Sequence, residues 1–186
     1  MKTAFIFHGT AGYPEENWFP WLKKELEHRG FIVHVPQFPT PQNQTLEAWY
    51  EAFKDYEKLL TEDSIIVGHS LGGTFLLRVL ENVPIRISVA CLVAAAVGIR
   101  PLKNWETDKP FIERPFEWKT IRERARHFLV FQSDDDPYVS LGNGEEAAQQ
   151  LGVPLHFIPN AGHFNTTAGY TEFPRLLDIL IRTLKD

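Results

Sequence analysis

The segment Ser64-Ile65-Ile66-Val67-Gly68-His69-Ser70-Leu71-Gly72-Gly73 constrains the fold more than any other part of the chain. A short apolar run is followed by a serine with glycine two residues before and two after. An apolar pattern of helical spacing then begins at Leu71, Phe75, Leu76 and Val79. Strand, sharp turn, helix is the order that a nucleophile elbow requires. Flanking glycines carry no Cβ and leave room for neighbouring backbone. The helix start offers N–H groups and the positive end of a dipole where negative charge would develop. With 12 glycines in 186 residues, Gly-x-Ser-x-Gly around one of the five serines arises by chance about 0.02 times. Alone, the segment also reads as a glycine-rich strand-to-helix turn capped by a serine, so its surroundings must decide.

Those surroundings alternate. Short apolar runs over 4–7, 31–35, 64–67, 85–95, 128–131 and 155–158 read as strands buried on both faces. Helical spacing runs over 18–29, with Gly30 as its C-cap, and over 45–60, beginning at Thr45. It returns after Ser70, over 144–151 with Gly152 beyond the end, and over 173–184. The alternation predicts an α/β fold, a mainly parallel sheet covered by helices on both faces. Residues 99–120 break this rhythm, with Pro101, Trp105, Pro110, Phe111, Pro115, Phe116 and Trp118 at no steady period. They read either as a surface excursion anchored in the core or as an aromatic wall over a substrate pocket. The wall is the favoured expectation.

The length suits a single domain spanning residues 1–186 with a substantial core. A net charge of −5 carries no basic footprint for nucleic acid, and no Lys/Arg cluster marks an anionic membrane surface. The longest apolar run, 89–99, is too short to span a bilayer. The opening residues lack the apolar region and cleavage site of a signal peptide. Cys91 is the lone cysteine, read as a buried thiol. A cytoplasmic protein is the expectation.

In a parallel sheet, functional side chains collect in the loops at the carboxyl ends of the strands. Three such loops carry Ser70, the run Asp134-Asp135-Asp136, and His163. A serine hydroxyl needs a base to take its proton, histidine is suited to that task, and a carboxylate orients the imidazole and stabilises its charged form. The chain order Ser, Asp, His is that of α/β-hydrolases. Asp136, three residues before Val139, is the favoured acid, and Asp135 is the alternative. The other aspartates read as solvated loop residues or a turn cap. His69, inside the elbow, is expected to pack beside the turn. His8-Gly9-Thr10 ends the first strand, where half of an oxyanion hole would lie, so the backbone N–H groups of Thr10 and Leu71 are the expected donors. His28, His34, His127 and His156 have no partners at metal-ligand spacing. They read as satisfied surface or core histidines.

With Gly68-His69-Ser70-Leu71-Gly72, Arg114-Pro115-Phe116-Glu117-Trp118, Asp135-Asp136-Pro137 and Gly162-His163-Phe164 in view, the chain resembles the small α/β-hydrolase-fold serine hydrolases related to retinoblastoma-binding protein 9. The similarity spans nearly the whole chain. It implies a compact α/β-hydrolase fold with no large lid, a triad of Ser70, Asp136 and His163, and an Arg114–Trp118 region packed close to the active-site face. The first loop, His8-Gly9-Thr10-Ala11-Gly12, is less glycine-rich than in the human relative.

The expected activity is hydrolysis of a small-molecule carboxylic ester, with amides or peptides as the neighbouring class, by a monomer or weak dimer. No metal or organic cofactor is implied. The competing expectation is a non-catalytic or weakly catalytic protein-interaction module on the same fold.

Overall fold

The computed structural model describes residues 2–185. Six strands, β1 (Thr3–Phe7), β2 (Ile32–His34), β3 (Ile65–His69), β4 (Ile87–Val93), β5 (Ala125–Gln132) and β6 (Leu155–Phe157), form one sheet of order β2-β1-β3-β4-β5-β6. Every pairing is parallel. This is the α/β-hydrolase fold.

The apolar runs are explained by burial on both faces. Phe5, Phe7, Ile66, Ala90, Leu92, Phe128 and Val130 point to one side. Ala4, Ile6, Ile65, Val67, Val89, Cys91, Val93, Leu129 and Phe131 point to the other. The first face is covered by α2 (Leu46–Glu57), α3 (Leu71–Asn82), α4 (Trp105–Ile112), α5 (Trp118–Glu123) and α6 (Leu141–Leu151). The second carries α1 (Phe19–Glu27) and α7 (Pro174–Thr183). Local signals act as expected at several ends. Thr45 caps α2 by accepting the N–H of Ala48 at 3.1 Å, and Gly152 ends α6 at a φ of 72°.

Strand order fixes where the site can form. From β1 the chain crosses to β2 at the sheet edge, then returns to β3 on the other side of β1. The loops after β1 and β3 therefore diverge, leaving a crevice at the carboxyl ends of two neighbouring strands. Gly72 lets α3 start against that point. A Cβ there would lie 2.3 Å from the Phe7 carbonyl oxygen and 2.5 Å from that of His8.

Residues 99–120 form α4 and run into the start of α5, an excursion anchored in the core rather than a wall over the pocket. Their period was unreadable because α4 has only eight residues and carries Pro110 in its interior. The aromatic residues enter the core. Phe111 is fully buried and packs edge-on against Trp49 at 4.9 Å, within a cluster that includes Phe38 and Phe75. Phe116 and Trp118 pack on each other at 5.1 Å.

The Arg114–Trp118 element is held by Arg78, a fully buried cation on α3. Its guanidinium donates to the carbonyls of Phe111, Arg114 and Pro115 and lies 3.8 Å from the centre of the Phe116 ring. Glu81 pairs with Arg78 at 2.9 Å and with Arg114 at 2.5 Å, and accepts the N–H of Glu117. Arg78 and Glu81 lie about two and three helical turns from Ser70. The element therefore fastens the far half of α3, not the active-site face that the resemblance implied.

Candidate active site

Ser70 sits between β3 and α3 with φ 56° and ψ −127°. A residue bearing a Cβ adopts such a conformation at a cost of about 1–3 kcal/mol. It is held there because its N–H continues the ladder to the Val93 carbonyl at 2.8 Å while its own carbonyl accepts from Gly73 at 2.9 Å. Gly68 is required beneath the turn, since a Cβ would come within 2.5 Å of the Gly72 backbone. Gly9 is required above it. A Cβ on Gly9 would stand 2.7 Å from Ser70 Cβ and 3.1 Å from Oγ. The requirement at Gly9 is invisible in sequence, because it arises from a strand sixty residues away.

His163 follows β6 and is oriented through Nδ1, which lies 2.7 Å from Asp136 Oδ2. Both side chains are almost wholly buried. Asp136 also accepts the N–H groups of Tyr138 and Val139 at Oδ1, at 2.8 and 3.0 Å, so its charge is satisfied on both oxygens. With Nδ1 engaged, Nε2 is the imidazole nitrogen left for chemistry. Tyr138 packs its ring against the imidazole at 4.8 Å.

Asp134 and Asp135 are exposed, as the sequence reading has them, and they also bind the loop that carries His163. Asp134 accepts the N–H of Asn160 at 2.9 Å, and Asp135 accepts that of Gly162 at 2.7 Å together with the Ser133 hydroxyl. Ser133 in turn accepts the N–H of Ala161. The acidic run therefore grips the loop that presents His163. Trp18 secures the far side through an indole N–H bond to the Phe164 carbonyl at 2.9 Å.

His69 packs beside the turn, as expected, and is buried. Its Nε2–H donates to the His163 carbonyl at 2.7 Å. Burial, reinforced by the neighbouring His163, lowers its pKa to about 3, so the ring stays neutral. His8 is also buried. Its Nδ1–H donates to the Gly9 carbonyl and its Nε2 accepts the Phe38 N–H, both at 2.9 Å. Burial holds its pKa below the usual histidine range.

Ser70, His69 and His163 line one cavity of about 500 Å³ with Gly9 and Thr10. Its other walls mix polar side chains, Glu16, Asn17, Asn104, Asn165, Thr166 and Thr167, with the rings of Tyr13 and Tyr138. Of residues 99–120 only Asn104 reaches it, which corrects the expected aromatic wall. Glu16, whose carboxyl burial pushes up to about 7, had no motif to reveal it. Leu71 opens α3, so its N–H has no partner within the helix. Among the described residues, the Thr10 N–H has no acceptor either. No group of three or more His, Cys, Asp and Glu residues among the described residues is arranged to hold a metal.

The model of the family described as serine hydrolase matches residues 4–182. The chain belongs to the serine hydrolase family. Among serine hydrolase relatives, rat RBBP9 is 28% identical over 180 residues, covering 95% of this chain and 92% of that protein. YdeN of Bacillus subtilis (strain 168) is 31% identical over 179 residues, covering 96% of this chain and 94% of YdeN. The YdeN crystal structure superposes with a TM-score of 0.93 over the full length of both chains. An esterase domain from a Rhodothermus marinus protein shares the fold at a TM-score of 0.68 and 19% identity, covering 97% and 86% of the two chains. Among the described residues, no helix of this serine hydrolase is long and apolar enough to cross a membrane.

Proposed function

We propose that the chain hydrolyses carboxylic esters through an acyl-serine intermediate, with Ser70 as nucleophile, His163 as base and then acid, and Asp136 orienting His163. The observation that carries this reading is the 2.7 Å contact between His163 Nδ1 and Asp136 Oδ2 at a cavity that Ser70 also lines. As the Ser70 Oγ–C bond forms, the hydroxyl proton passes to His163 Nε2, and the tetrahedral oxyanion receives the N–H groups of Leu71 and Thr10. His163 returns the proton to the alcohol as the C–O bond breaks, and water repeats the sequence on the acyl-enzyme. One such N–H donor contributes about 3 kcal/mol to the transition state.

A cavity of about 500 Å³ on a compact fold supports short or modest acyl groups, because little structure is there to enclose a long alkyl chain. Amides and peptides share the acyl chemistry and form the next class. Esterase activity in the Rhodothermus domain, a fold-level likeness only, supports testing esters first. The unpaired, buried Cys91 fits a reducing, cytoplasmic setting.

A fluorophosphonate probe tests the reading. It should label the wild type and leave Ser70→Ala unlabelled, and acetyl and butyryl esters should turn over faster than long-chain ones. An unlabelled wild type would overturn the catalytic reading and return the interaction module.

A further inference from the structure

The loop carrying Thr10 is held by a buried polar cage whose anchor comes from a distant part of the chain. Asp108, on α4 and only 5% exposed, accepts at Oδ1 from the Thr10 hydroxyl at 2.6 Å, from Gln44 Nε2 at 3.1 Å and from the Thr107 hydroxyl at 3.3 Å. The Gln44 amide group is shared with Thr10 Oγ1 at 3.0 Å and with the Thr107 carbonyl at 3.1 Å. At its other end, Gln44 Oε1 accepts from the Thr40 hydroxyl at 2.5 Å, whose oxygen accepts the Ala11 N–H at 2.6 Å. The residue after Gly9 is thus gripped by its side chain, and the next one by its backbone.

That grip falls where the loop is least free to choose its own shape. Ala11 sits at a φ of 56°, a left-handed conformation that an alanine adopts only when its surroundings impose it. The Thr10 N–H has no acceptor among the described residues, so the cage holds this peptide and leaves its donor unspent. A donor for a transition-state charge has to be held to about 0.5 Å by groups that are themselves fixed.

We propose that Asp108 is a positioning residue: through Thr10 Oγ1 and Gln44 it fixes the first-loop half of the oxyanion hole. The inference rests on the reading of Thr10 as an oxyanion donor. It gives residues 99–120 a role at the site without a wall over it. Asp108 does not line the cavity, and acts by keeping a backbone N–H in place.

The test compares Asp108→Ala, which removes the acceptor, with Asp108→Asn, which keeps an oxygen there and removes the charge. Asp108→Ala should lower kcat for a short ester by about 10- to 100-fold, part of what loss of a whole donor costs, with KM changed less than about threefold. Asp108→Asn should recover most of the loss. Thr10→Val should reproduce the Asp108→Ala loss while keeping the backbone N–H, and the double variant should lose little more than either single one.

Amide hydrogen exchange of the peptide spanning residues 8–13 reads the cage without any turnover. Exchange should rise in Asp108→Ala and stay near wild type in Asp108→Asn. If the wild type hydrolyses nothing, the catalytic reading fails and the exchange arm still decides the positioning. Unchanged exchange in folded Asp108→Ala, or an Asp108→Asn as impaired as Asp108→Ala, overturns the proposal.

Discussion

Asp136 holds His163 Nδ1 at 2.7 Å with one carboxylate oxygen while the other accepts two backbone N–H groups of its own turn. The two functions share one buried side chain. The turn that fixes the carboxylate also fixes the imidazole, and neither depends on solvent.

Replacing the three aspartates separately should sort their roles. Asp136→Asn should cost about 10⁴-fold in kcat, since an amide neither selects the right tautomer nor stabilises the imidazolium. Asp134→Asn and Asp135→Asn keep oxygens for the N–H groups of Asn160 and Gly162, and should stay within about tenfold of wild type. Steady-state kinetics on one short ester checks all three. A larger loss in Asp134→Asn than in Asp136→Asn would overturn the assignment.

Gly9→Ala should damage activity more than folding. The added Cβ would stand 2.7 Å from Ser70 Cβ, inside any normal contact, so either the elbow or the Thr10 loop must move. About a tenfold or greater fall in kcat is expected, with a modest change in melting temperature. Gly30→Ala is the control. At a φ of +84° with open space around it, it should cost about 1 kcal/mol of stability and leave kcat alone.

His69 should make the fold acid-sensitive. Its folded-state pKa is lowered to about 3, whereas the unfolded chain takes up the proton near 6.5. As pH falls through 6.5 toward 3, the unfolded state therefore binds more protons and stability drops. His69→Gln, which retains an N–H donor for the His163 carbonyl, should remove about 2 kcal/mol of the stability lost between pH 7 and pH 5. Urea denaturation at the two pH values measures this. Equal pH dependence in the two proteins would refute it.

Arg78→Met should be among the most destabilising single changes, by about 3–5 kcal/mol, because it leaves buried Glu81 with Arg114 as its one remaining cation and three carbonyls without the donor they have now. Chemical denaturation checks the magnitude. Under conditions where the variant stays folded, kcat should remain within a few-fold of wild type, since Arg78 serves the far half of α3.

The elbow, the strand alternation and the chain order of Ser70, Asp136 and His163 were legible because each is local. A strand, a turn and a helix start fit within ten residues, and the loops after successive parallel strands are bound to share one edge. What was not legible depends on groups far apart in sequence. Gly9 is needed because of Ser70, Arg78 because of the carbonyls of 111–115, and Asp108 because of Thr10. No pattern around any one of these residues encodes its partner.

The sequence by itself determined the α/β architecture, through apolar runs of strand length spaced by helical periods, and it determined which residue types could do acyl chemistry. Tertiary structure alone decided three things: that Asp134 and Asp135 grip the His163 loop, that the aromatic residues of 99–120 enter the core instead of lining the cavity, and that a carboxylate from α4 fastens the first loop. The physical reason is that each depends on contact between residues far apart in sequence. Which polar group meets which partner, and which ring meets the core, is set by the packing of elements that the chain brings together only once folded.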